Sequence, residues 1–172
     1  MSFLEKLDTV GIWGITVTVG YLLTAAAGYM GMTGSTVNYG LITAWLALML
    51  VPAYYSVQKY REDGNWKNLN FIWAVIMVLG VLANYAGQAT ATGQILQYSY
   101  YQKWFVLPGA LFAYTAYRMD GFSRNIYAVA TVLNLAVAFG LSTVPVLQTH
   151  AFTIAAVIQG LPMLADWYKF NM

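Results

Sequence analysis

The sequence predicts an all-α fold: a polytopic membrane bundle of six transmembrane helices with both termini on the cytoplasmic side. Three observations lead there. The 172 residues are 60% hydrophobic and only 8% charged, against about 25% charged in an average soluble domain. A soluble surface could not be covered with so few charges. The apolar residues fall in runs of about 20, long enough to cross a hydrocarbon core of about 30 Å at 1.5 Å per residue. Finally, the basic residues fall on one side of the layout that those runs impose. Lys6, Lys59, Arg61, Lys67, Arg118, Arg124 and Lys169 share a side, and only Lys103 falls on the other. That bias marks the shared side as cytoplasmic. The six acidic residues lie there too. The whole chain, 1–172, reads as a single integral membrane domain of a multi-pass protein of the cell membrane.

The spans are expected at 9–32, 38–59, 69–88, 99–117, 125–143 and 147–168. Lipid offers no hydrogen-bond partners, so each run must be a helix. The stretch before the first, MSFLEKLD, lacks the basic start and small-residue cleavage site of a signal peptide. The first span is therefore expected to be retained. It carries Gly20, Thr24 and Gly28 at four-residue spacing, with Ala27 and Gly31 beside them. Such a face lets another helix approach closely.

The second and fourth spans end in nearly the same phrase. YREDGNWKN (60–68) and YRMDGFSRN (117–125) sit 57 residues apart. Asp-Gly supplies a tight turn, because Gly accepts positive φ and Asp bonds to nearby backbone. Tyr and Arg anchor at headgroup level. The sixth span ends comparably, in Tyr168 and Lys169, and each even span carries a proline: Pro52, Pro108 and Pro162. Together these suggest a candidate two-helix internal repeat. Each proline removes a donor and frees the carbonyl four residues earlier, at Leu48, Trp104 and Ile158. Between the third and fourth spans, QILQYSYYQKW (94–104) reads as an interfacial aromatic belt or a docking surface for a partner.

Candidate sites are few. No cysteine is present, which rules out disulfides, thiolate nucleophiles and cysteine-held metals. No Asp, Glu, Lys or Arg falls near the middle of a predicted span, so an ion pump built on a buried carboxylate and a retinal Schiff base are both disfavoured. The single histidine, His150, is a weak metal candidate, better read as an interfacial polar residue. Every acid is expected across the membrane from it, so no catalytic triad can assemble. Four neutral polar residues lie at depth: Asn84 and Gln88, which share a helix face, and Asn134 and Gln159. They form either a polar track for a neutral solute or interhelical hydrogen bonds.

Two functions follow as expectations. The first is a non-catalytic integral-membrane subunit within a larger membrane complex, an accessory role that includes service to a membrane enzyme. The alternative is a channel or facilitator for a small neutral solute, which requires Asn84, Gln88, Asn134 and Gln159 to line one cavity. A cofactor shared with partner chains (pigment, quinone, lipid or metal) would be held near His150 and the aromatic stretch, though no pattern specifies which. The expected partners are the bilayer and other membrane subunits or further copies of this chain. No basic run suits nucleic acid.

Overall fold

The computed structural model describes residues 8–63, 69–90 and 102–171. These residues are helical almost throughout, with no strand among them. Four helices are long and apolar enough to cross a membrane, which makes this a membrane protein. They are α1 (Thr9–Tyr29), α2 (Ser35–Asp63), α3 (Leu69–Thr90) and α5 (Gly121–Gly140). The other two hydrophobic runs are helical but differ from these. Helix α4 (Lys103–Arg118) has 16 residues, roughly 24 Å of rise, short of the about 30 Å core. The last run is interrupted. It comprises α6 (Pro145–Thr149), a bend at His150, α7 (Ala151–Ala155), a π-helical turn (Ala156–Gly160) and α8 (Leu161–Asn171).

The physical cause of the π turn is local. Pro162 has no N–H, so the carbonyl of Ile158 loses its ordinary partner, and a widened turn is a common adjustment in membrane helices. Asp8 begins α1 by accepting a hydrogen bond from the Gly11 N–H at 2.9 Å. The second polar phrase forms the α4–α5 corner: Met119 and Asp120 are extended and Gly121 has φ +55°. That positive φ is the conformation for which glycine is suited. In the first phrase, α2 instead runs on through Asp63. Residues 64–68 of that phrase, and residues 94–101 of the aromatic stretch, lie outside the described residues.

Neighbours in the bundle are neighbours in the chain. Helix α1 packs on α2, α2 on α3, α3 on α4 and α4 on α5. Helix α5 then packs on the last segment, which returns against α1. The ring has two ends, named here for Asp166 and His150.

Aromatic rings fill its centre in two layers. At the Asp166 end, Trp13 meets Trp73 (6.4 Å between ring centroids), Trp73 meets Phe112 (4.9 Å) and Phe112 meets Tyr127 (5.6 Å). Toward the His150 end, Trp45 lies between Tyr21 (4.7 Å) and Trp104 (6.2 Å), and Phe152 stacks on Tyr21. Each indole N–H of Trp13, Trp45 and Trp73 donates to a hydroxyl on a neighbouring helix: Ser56, Thr24 and Thr115. Each of those hydroxyls donates in turn to the carbonyl four residues earlier in its own helix. Indole and hydroxyl are thus both satisfied without water.

Candidate functional site

The polar residues at depth sort into separate groups. Asn134 and Gln159 meet in the middle of the bundle, with 0% and 1% of their surfaces exposed. Gln159 Nε2 donates to Asn134 Oδ1 and to the Trp104 carbonyl, both at 2.8 Å. That carbonyl is the one Pro108 deprives of its helical donor, so Gln159 supplies from another helix what the proline removed. Asn134 Nδ2 closes the network on the Ala130 carbonyl. The Tyr21 hydroxyl is buried beside Gln159 but makes no hydrogen bond of ordinary geometry among the described residues.

Asn84 belongs elsewhere. Its Oδ1 accepts from Lys103 Nζ at 2.5 Å, and the same ammonium donates to the Gly80 carbonyl at 3.0 Å. Lys103 thereby joins α4 to α3 while its charge lies 5.2 Å from the Trp104 ring centroid. Gln88 lies one turn beyond Asn84, and its Oε1 is buried without a partner among the described residues. The hydrogen bonds therefore bring together Asn134 with Gln159, and Asn84 with Lys103.

Two further polar clusters went unread in the sequence. Asp166 is buried with 6% exposure, and its carboxylate accepts from Ser123 Oγ at 2.5 Å and from the Tyr127 hydroxyl at 2.9 Å. Ser123, Tyr127 and Asn134 share one buried stripe of α5. Tyr127 and Asn134 are seven residues apart, as are Gln159 and Asp166 on the facing, antiparallel segment. Two polar rungs thus join the same helix pair, about two turns apart. The four-plus-seven spacing on α5 was visible in the sequence, although its partner was not.

The second cluster is at the His150 end. His150 Nδ1 and the Tyr29 hydroxyl share a hydrogen bond at 2.8 Å, and that hydroxyl also bonds Thr153 Oγ1 at 3.0 Å. These contacts join the end of α1 to α7. Among the described residues, no group of three or more His, Cys, Asp or Glu side chains could hold a metal ion.

Cavities differ sharply in size. Beside Trp13, Trp73 and Tyr127 lies one of about 30 Å³, and beside Tyr21, Trp45 and Asn84 one of about 20 Å³. Each has room for about one water. A vestibule of about 240 Å³ opens between the end of α1 and the α6–α7 segment. Thr24 and Phe152 line both it and the cavity beside Tyr21. No protein family, curated protein or solved structure matches this chain.

Proposed function

We propose that this protein is a non-catalytic, multi-pass subunit of a larger membrane complex in the cell membrane. One contrast carries the reading. The interior uses its polar groups to hold itself together, whereas α2 turns a large apolar face outward. The most apolar stretch of α2 is 22% buried, against 28% for α5, 33% for α3 and 56% for α1, and Leu50, Val51, Tyr54 and Tyr55 are exposed along α2. Other membrane chains, or further copies of this one, are the partners proposed for that face, with lipid around the rest.

The proposed topology has six spans with both termini cytoplasmic. The excess of basic residues at the Asp166 end supports it. A two-helix repeat is supported by three bonds across successive hairpins at that end. Trp13 bonds Ser56, Trp73 bonds Thr115 and Ser123 bonds Asp166, at separations of 43, 42 and 43 residues.

Native mass after gentle extraction from the source membrane tests the subunit reading. A mass well above any homo-oligomer, with other chains bound, is the expected result. A bare monomer or a closed homo-oligomer refutes it. The four residues expected to line a solute path divide between separate networks, Asn134 with Gln159 and Asn84 with Lys103, so a second reading, a facilitator for a small neutral solute, rests instead on the vestibule and on the smaller cavity that shares two of its walls. Solute flux into liposomes carrying the purified chain tests that one.

A further inference from the structure

The vestibule at the His150 end has a definite chemical character. Its polar walls come from Thr24, Tyr29, Gln148, Thr149 and Thr153. Most of their donors are already engaged. Thr24 Oγ1 donates to the Gly20 carbonyl, Thr149 Oγ1 to the Pro145 carbonyl and Gln148 Nε2 to the Leu141 carbonyl. The Tyr29 hydroxyl bonds both His150 Nδ1 and Thr153 Oγ1, which engages its proton and one from a partner. Thr24 Oγ1 already accepts from Trp45 Nε1, so the lone pairs left to the cavity are chiefly those of Thr149 and of the Gln148 carbonyl oxygen, beside the second N–H of Gln148. The walls are therefore rich in acceptors, with the rings of Tyr29 and Phe152 alongside.

The acidic side chains described, those of Asp8, Glu62, Asp120 and Asp166, belong to the opposite end of the bundle. A cation in the vestibule would find no carboxylate there among the described residues, and an unpaired charge in such a place is costly. At about 240 Å³ the space is below the roughly 300 Å³ at which drug-sized sites begin. From this geometry we infer that the vestibule is a binding site for a small neutral solute bearing N–H donors, of the primary amide class. The inference deepens the solute reading by naming the substrate class, and binding at the site is measurable separately from passage.

Gly28 makes the test clean. It is a helical residue of α1 on the vestibule wall, and a Cβ there would meet nothing within 4 Å. A Cβ at this position meets open space, so a larger side chain is expected to extend into the vestibule, and replacing glycine within a helix favours the fold.

The experiment uses the full chain in lipid nanodiscs and saturation-transfer NMR. The probes are acetamide, N,N-dimethylacetamide (which keeps the carbonyl and loses both N–H donors) and methylammonium. Acetamide is expected to bind saturably and N,N-dimethylacetamide about tenfold or more weakly, the effect of losing its donors. Gly28→Leu is expected to abolish acetamide binding, with helicity and native mass unchanged. Equal binding of both amides, a preference for methylammonium, or undiminished binding by Gly28→Leu would each overturn the proposal. So would loss of bound partner chains from Gly28→Leu with no acetamide binding by wild type, since the vestibule would then be a partner's seat. Flux of acetamide into liposomes is scored apart from this: binding without flux leaves the site standing and removes only the reading as a facilitator.

Discussion

The contact between α5 and the last segment and the gap between α1 and α6–α7 use similar residue types to opposite effect. In the first, Ser123, Tyr127, Asp166, Asn134 and Gln159 bond to one another or to backbone, and all are buried. In the second, Thr149 and Gln148 bond nearby backbone, Thr24 takes the Trp45 N–H, Tyr29 bonds His150 and Thr153, and acceptors are left beside a cavity. Polarity at depth therefore does not by itself mark a path. The geometry of the neighbouring helix decides whether an amide or hydroxyl becomes glue or a wall.

The sharpest way to break this contrast is Asp166→Ala. It removes the acceptor of two buried hydroxyls, each costing about 1–3 kcal/mol when orphaned, so a loss of roughly 2–6 kcal/mol is expected. Unfolding titrations in mixed micelles would measure it, and a loss below about 1 kcal/mol would show that the rung is not holding the helices.

Gly160→Ala comes next. A Cβ there would sit 1.9 Å from Thr18 Oγ1 and 3.1 Å from Thr18 Cβ, so α1 and the π turn must separate. Overpacking of this kind costs about 1–3 kcal/mol. The same titration checks it, and Gly160→Ala combined with Thr18→Ala should recover part of the loss.

Gln159→Leu leaves the Trp104 carbonyl and Asn134 without their shared donor, for an expected loss of about 1–2 kcal/mol. A double-mutant cycle with Asn134→Leu should show coupling of about 0.6–2 kcal/mol, and strict additivity would mean that the two amides do not interact.

On the other side of the comparison, Gly28→Ala should be stabilising by about 0.5–1 kcal/mol, because the helix gains a better former in open space. One glycine of α1's neighbourhood thus resists a methyl group and another welcomes it. The smallest effect is expected of Tyr29→Phe, within about 0.5 kcal/mol, since its bonds to His150 and Thr153 are exposed. A larger change would place that cluster in the load path between α1 and α7.

Much of the fold was legible in the residues. The apolar runs located the helical segments among the described residues, because lipid forces the backbone to satisfy itself. The freed carbonyl at Trp104 followed from Pro108 alone, and Gln159 and Asn134 were both recognisable as polar groups at depth. That they answer one another was not readable, since 25 residues separate the two amides and 55 separate Gln159 from Trp104. Asp166 and Lys103 were counted as charges near span ends. Nothing near either in the chain signals burial: the hydroxyls that enclose Asp166 come from 39 and 43 residues away, and the acceptors of Lys103 from α3. The break in the last segment was half legible, because Pro162 announces a missing donor but not the π turn that accommodates it.

The sequence by itself determined the medium and the helices, since hydrophobicity and backbone satisfaction are properties of a run of residues. It also determined where donors would be missing, since proline's chemistry is local. Only the tertiary structure decided which polar side chains find partners and which face open space. That choice depends on what the neighbouring helix presents at the same depth, and residues dozens of positions apart settle it together.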